Sequence, residues 1–220
     1  QYLAEKVGEL GNLEELKAND SKYSRLREKL TEYFARFPDE KVVLFSYFRV
    51  TLDYLRERLR KDGVETFILK GGMGEKDQLV EDFKNHKGAA ILLSSEVGSE
   101  GIDLQFCRVV INYDLPWNPM KVEQRIGRID RLGQESKVIL VWNLFSQDTI
   151  DSRIYERLFK RLKIFEDTFG AIEEVLGDEI RELTNSLMSG QLSVEEELER
   201  IEQTAIALEN RRQQEGELEE

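Results

Sequence analysis

Near the middle of the chain, Gln124, Gly127, Arg128 and Arg131 recur at spacings of three and four. On one continuous helix these spacings place the four side chains on a single stripe. Such a stripe is poor core design, because a mid-helix glycine costs about 1 kcal/mol against alanine. It suits a polyphosphate, since arginine stays charged and grips phosphate oxygens in a planar fork. Upstream, an apolar strand runs into the Gly-rich loop Ser94-Ser95-Glu96-Val97-Gly98-Ser99-Glu100-Gly101-Ile102-Asp103. Metal chemistry has little material: the single His86 sits in the polar turn Asn85-His86-Lys87-Gly88, and the single Cys107 lies in an apolar run that predicts a small core residue.

The segment Gln124 to Gln134, QRIGRIDRLGQ, resembles motif VI of the superfamily-two helicase-like motors. Pro116-Trp117-Asn118-Pro119 and the trailing Leu132-Gly133-Gln134 narrow the resemblance to SWI/SNF-type DNA translocases. Ser94 to Leu104 resembles their motif V, Lys41 to Ser46 motif IV, and Lys70-Gly71-Gly72 the turn that follows it. Asp130 stands where most of that family carries histidine, a departure similar to bacterial RapA-like members, which recycle RNA polymerase. The four motifs occur in the family's order, and the resemblance covers roughly residues 20–165.

The resemblance implies two RecA-like lobes with ATP and Mg2+ held mainly by the first. This chain has no G-x-x-x-x-G-K-[ST] loop and no apolar strand ending in Asp-Glu, parts that a P-loop engine needs. It reads as the second lobe, inactive alone, with an N-terminal RecA-like lobe as its partner. Arg128 and Arg131 then become arginine fingers for the γ-phosphoryl group, with Gln124 orienting phosphate or water beside them. Gly101, Asp103 and Gly127 belong to the nucleotide side, although Asp103 also fits a simple turn or helix cap. Ser46, Gly71, Gly72, Ser94 and Ser95 are expected to offer hydroxyls and backbone N–H groups to the phosphates of double-stranded DNA, contacts that carry no sequence information. Strand-end capping is the competing role for Ser46 and Ser94. Glu96 and Glu100 repel phosphate and should point away or pair with basic residues. Trp117 is placed either to stack on a base or, as is commoner, to wedge its loop against the core.

These residues must be positioned by a scaffold. Apolar strands at 42–47, 65–69, 89–93, 108–113 and 137–145 alternate with amphipathic stretches at 51–61, about 75–83 and within 120–132. That alternation predicts an α/β fold, a RecA-like parallel sheet with helices on both faces and the motif loops along the strand C-termini. Three parts are expected: a helical lead-in at 1–37, the lobe at 38–148, and a helical extension with an acidic tail at 149–220. Asn19-Asp20-Ser21 signals a helix start before Lys22–Phe37. Beyond Thr149, Ile150, Ile154, Leu158, Leu162 and Phe165 mark an apolar face. Arg153, Arg157, Lys160, Arg161 and Lys163 mark a basic one, either a solvated face or a brace near the partner lobe or DNA. Val194, Leu198, Ile201, Ala205 and Leu208 predict a pairing helix.

The net charge of −12 belongs to the tail. Residues 171–220 hold 15 acids and 4 bases, and residues 1–170 hold 29 and 28. Global charge therefore does not exclude a DNA-binding face. No 18-residue apolar run points to a membrane, and a cytoplasmic protein, nucleoid-associated if bacterial, is expected. The leading expectation is an ATP-driven double-stranded DNA translocase that remodels a protein complex on DNA. A strand-separating DNA or RNA helicase lobe and a non-catalytic protein-interaction lobe are the alternatives.

Overall fold

The computed structural model describes residues 19–99, 101–130, 133, 134, 136, 138–156, 180, 182–187 and 191–216. In chain order the elements are α1 (Ser21–Arg36), β1 (Lys41–Phe45), α2 (Arg49–Lys61), β2 (Glu65–Leu69), α3 (Lys76–Asn85), β3 (Ala90–Ser94), α4 (Glu96–Ser99), β4 (Val109–Asn112), α5 (Pro119–Ile126), β5 (Leu140–Asn143), α6 (Ile150–Ile154) and α7 (Val194–Gly216). Residues 182–187 are also helical. The helix expected in residues 1–18 lies outside the described residues.

The five strands form one sheet in the order β2-β3-β1-β4-β5, and every pairing is parallel. The α/β expectation holds. Strand pleating sends successive side chains to opposite faces, and both faces here are covered. Val42, Leu44, Ile91, Leu93, Val109 and Ile111 join α1 and α2 in one core. Val43, Phe45, Leu92 and Val110 face the other way, onto Val80 and Phe83 of α3 and onto Ile102, Leu104, Cys107 and Ile129. Cys107 is buried, and burial pushes its thiol pKa well up.

Helix α1 starts where the sequence signals it. The Asp20 side chain accepts a hydrogen bond from Tyr23 N at 2.9 Å, an N-cap. Tyr23, Leu26, Leu30 and Tyr33 then recur at three- and four-residue spacings and are all buried. α1, within the lead-in expected at 1–37, supplies one wall of the sheet's core. Polar contacts lock it there. Tyr23 donates to Asp62 at 2.6 Å, Tyr54 donates to Asp20 at 2.6 Å, and the Arg58 guanidinium lies 4.0 Å from the Tyr23 ring centre.

A third core joins lobe and extension. Leu115 and Val122 pack with Ile154, Ile180, Leu183, Leu187, Ile201, Ala205 and Leu208. The apolar stripe of α7 thus pairs within the chain, in one cluster with a residue of the helix that carries Gln124.

Candidate nucleotide and nucleic-acid interface

Parallel strands bring the loops after β1, β2, β3 and β4 to one edge of the sheet. Ser46 and Ser94 meet there, with Ser46 N donating to Ser94 O at 3.1 Å. Both side chains are fully buried. The Ser46 hydroxyl pairs with Asp114, and the Ser94 hydroxyl donates to Ser95 O at 3.0 Å. Ser95 Oγ accepts from Gly98 N at 3.1 Å. The hydroxyls expected to face phosphate are instead engaged inside the loops in this conformation, as strand-end capping requires. Gly71 and Gly72 fit the expectation of accessible backbone better. Gly72 is exposed, has φ +84°, and a Cβ there would meet nothing within 4 Å.

Gly98 is a residue that sequence reasoning passed over. A Cβ on it would lie 2.4 Å from Leu69 O and 2.9 Å from Leu69 C. Only glycine lets α4 press against the end of β2. Gly98→Ala is expected to cost about 1–3 kcal/mol as an overpacking change, read as a lower midpoint in urea unfolding at unchanged m-value. An unaltered midpoint would show that the loop yields freely.

Helix α5 departs from the expected stripe. It ends at Ile126, and residues 127–130 form tighter turns. Gly127 N reaches Glu123 O at 2.7 Å, but Arg128 N reaches Arg125 O and Ile129 N reaches Ile126 O, an acceptor shared with Asp130 N at 2.9 Å. The physical reason lies in the next contacts. Ile129 is buried against Ile102, Leu104 and Cys107, and Arg128 O accepts from Leu104 N at 3.0 Å. These contacts draw the chain off the helix axis. Gln124 is exposed and Arg128 half-buried, whereas Arg131 lies outside the described residues. A side chain at Gly127 would crowd Glu123 O at 3.3 Å.

The bond between Leu104 and Arg128 joins this turn to the Gly101–Asp103 loop. Gly101 has φ +76°, and Asp103 Oδ1 accepts from Gln105 N at 3.1 Å, so Asp103 is a turn residue with its carboxylate exposed. It lines a polar cleft of about 770 Å3 together with Gln105, Gly133 and Gln134.

Arg125 is a buried side chain of the site region that spacing arguments missed. It is 3% exposed. Its fork donates to Asn112 Oδ1 at 2.7 Å, Asp114 O at 3.1 Å and Glu96 Oε1 at 2.9 Å, and its guanidinium lies 5.2 Å from the Phe45 ring centre. Burial lowers its pKa and the Glu96 carboxylate opposes that shift; arginine nonetheless stays charged. Its buried Nε finds no acceptor among the described residues. Glu96 also holds Lys121 at 3.0 Å, so it pairs with basic residues as expected. Glu100 lies outside the described residues. The adjacent glutamine and arginines drew attention by their phosphate-binding pattern, and nothing local in the sequence separates a buried arginine from an exposed one.

Trp117 takes the wedge role. Its indole packs against the Leu115–Val122 core, and Nε1 donates to Asp151 at 2.7 Å. Arg153, expected on a basic face, pairs with Glu197 of α7. The other four basic residues of that face lie outside the described residues. Among the described residues there is no cluster of three His, Cys, Asp or Glu that could hold a metal ion, and no helix long and apolar enough to cross a membrane.

Comparison with known proteins agrees with this geometry. An "Uncharacterized ATP-dependent helicase YqhH" of Bacillus subtilis is 41% identical over 140 residues, 63% of this chain and 25% of that protein. The RNA polymerase-associated protein RapA of Pectobacterium carotovorum is 33% identical over 145 residues, 64% of this chain and 15% of that one. The chain therefore spans a quarter or less of the length of these relatives. Among solved structures, the C-terminal part of the Fun30 ATPase domain superposes with a TM-score of 0.58 at 28% identity, covering 66% of this chain and 47% of that one. Residues 21–133 match the model of the helicase conserved C-terminal domain, and the chain belongs to that family, with SWI/SNF-type superfamily-two proteins among its relatives.

Proposed function

We propose that this chain is the second motor lobe of an ATP-dependent double-stranded DNA translocase. The observation that carries the reading is the arginine-bearing turn. Exposed Gln124 stands on α5, and half-buried Arg128 on the turn that follows it, which is pinned to the Asp103 loop, in a chain with no P-loop of its own. A lobe so built can complete a nucleotide site across a cleft and cannot form one alone. Gln124, Arg128 and Arg131 act on the γ-phosphoryl group, and Gly101, Asp103 and Gly127 shape the nucleotide side. ATP and Mg2+ are held mainly by the N-terminal RecA-like lobe, which brings the magnesium ligands.

DNA follows the opposite group of loops. Gly71 and Gly72 offer backbone to phosphate, while Ser46, Ser94 and Ser95 set the shape of their loops and meet phosphate when those loops open. The relatives' names support an ATP-driven helicase-like engine in bacteria, hence a cytoplasmic protein whose target is a protein complex on DNA. Trp117 is held by its indole N–H to Asp151 and packs against the Leu115–Val122 core in this conformation, so the contact is assigned to phosphate.

The test joins this chain to a P-loop lobe. The chain alone is expected to bind ATP weakly and hydrolyse none above background. The joined protein should hydrolyse ATP with stimulation by duplex DNA, through binding that weakens steeply with salt and varies little with sequence. Turnover by the chain alone would sink the half-site reading. Stimulation by single strands or RNA but not duplex would favour a strand-separating helicase. An inactive joined protein would favour an interaction lobe.

A further inference from the structure

We propose that the outer edge of β5 takes an extended acidic segment of a partner protein as an added strand. The groove beside that edge lies on the α1 face of the sheet, opposite the face onto which Ile129, next to Arg128, packs. It is therefore a different place from the nucleotide side, and the two are tested apart.

β5 is an end strand, and among the described residues no strand pairs with its outer side. Leu140 N reaches Arg108 O at 2.8 Å and Leu144 N reaches Asn112 O at 3.0 Å, both toward β4. Alternation along the strand then directs the backbone N–H and C=O groups of Val141 and Asn143 outward. An open edge is a pairing template, which proteins blunt with charge, proline or a covering group. The other end strand, β2, is blunted. Arg60 donates to Thr66 Oγ1 at 3.0 Å and to Thr66 O at 3.2 Å, and Glu65 is exposed. On β5 neither charge nor proline intervenes anywhere in residues 138–145. Val138 is 63% exposed, and β5 is half-buried along its length where β1, β3 and β4 are buried throughout.

The chemistry of the groove sets the occupant. A cavity of about 470 Å3 runs between α1 and β5. Its floor is apolar: the Tyr33 ring meets Trp142 edge-on at 5.5 Å and Phe37 at 4.9 Å between centres. Its charged lining is three cations of α1, Arg25, Lys29 and Arg36, against one acid, Glu32. Arg36 lies 5.8 Å from the Phe37 ring centre and has no ion pair among the described residues. Arg25 and Lys29 pair with Glu28 and Glu32 of their own helix, exposed pairs that contribute little and exchange readily. A strand added about 5 Å from β5 runs along this flank of α1. Its apolar side chains fill the floor, its carboxylates meet the cations, and backbone bonds to Val141 and Asn143 supply affinity. A second copy of this chain is a poorer match. Its β5 brings no carboxylate, and its own α1 carries Arg25, Lys29 and Arg36 to the same seam.

The experiment uses the whole chain and a synthetic peptide of about ten residues, a long strand, in which Glu alternates with Val and Phe. One control peptide replaces every Glu by Lys, and another places proline at the centre to break backbone pairing. The Glu peptide is expected to bind at least about 10-fold tighter than either control. On binding it should slow hydrogen exchange of the Val141 and Asn143 amides at least about 10-fold. The triple variant Arg25→Glu, Lys29→Glu, Arg36→Glu should weaken binding at least about 10-fold and leave Tm within about 4 °C. If that variant does not fold, Arg36→Gln takes its place with an expected loss of about 3-fold, and unchanged affinity overturns the proposal. Absence of binding at about 1 mM peptide overturns it, as does equal affinity for the Lys peptide. Binding with no added protection at the two amides also overturns it. Both amides already protected in the free chain would show the edge covered by the chain's own residues or, where light scattering gives a dimer mass, by a second copy; either result overturns the proposal.

Discussion

Replacing Arg128 by alanine in the two-lobed protein is expected to lower kcat at least about 100-fold, with a far smaller change in KM for ATP. An arginine finger is worth about 10³–10⁵ in rate where it neutralises charge on the transferred phosphoryl group. On the proposed reading the other lobe holds the ground-state nucleotide, so binding should persist. The geometry gives this arginine a defined backbone position. Arg128 has its carbonyl bound by Leu104 N, and the next residue, Ile129, is fully buried. The backbone is thereby fixed on both sides, so the entropy of ordering the main chain that carries the fork is already met in folding. Arg128→Lys keeps a charge but not the planar fork, and should recover only part of the rate. Single-turnover kinetics at saturating ATP separate the chemical step from binding. Wild-type kcat in Arg128→Ala would make this arginine structural and leave the catalytic role to another residue.

The sheet was legible because its signals are local and repeated. The strand at 65–69 ends where expected, and the others differ by one to three residues at each end. Short apolar runs separated by amphipathic stretches leave few alternatives once both faces must be covered. The site was legible only as a set of motifs. The serines at the ends of β1 and β3 look alike in sequence whether their hydroxyls face a ligand or the loop. Hydrogen bonds from Ser46 to Asp114 and from Gly98 to Ser95 decide between them, and the first of these partners is 68 residues away. The stripe from Gln124 to Arg131 assumed a continuous helix. Helical spacing carries no information about Ile129 being drawn into a core built from residues 102–107. Arg125 went unrecognised for the same reason, since burial is a property of the assembled elements.

The acidic tail is where charge and packing lead to opposite expectations. Charge alone says that removing it relieves repulsion and leaves DNA binding equal or tighter. Packing says that α7 is part of the fold: Ile201, Ala205 and Leu208 are fully buried in one core with Leu115 and Val122. Ile201→Ala is therefore expected to cost roughly 2–5 kcal/mol through lost transfer energy and a residual cavity. For a chain of this size that lowers Tm by roughly 4–20 °C. Removing residues 194–220 exposes the whole apolar wall, a loss comparable to the roughly 5–15 kcal/mol that holds a domain together. The truncated chain should unfold earlier or lose cooperativity, and α5, which carries Gln124 and Arg125, should lose its support. Glu195→Gln with Glu199→Gln isolates the charge term, because both side chains are exposed. That double variant should keep its Tm and bind duplex DNA as well or slightly better at low salt, an advantage that fades as salt screens it. A truncation that keeps the wild-type Tm and cooperative unfolding would show that α7 merely rests on the lobe. The contribution of Leu115 and Val122 would then have to come from the sheet side alone.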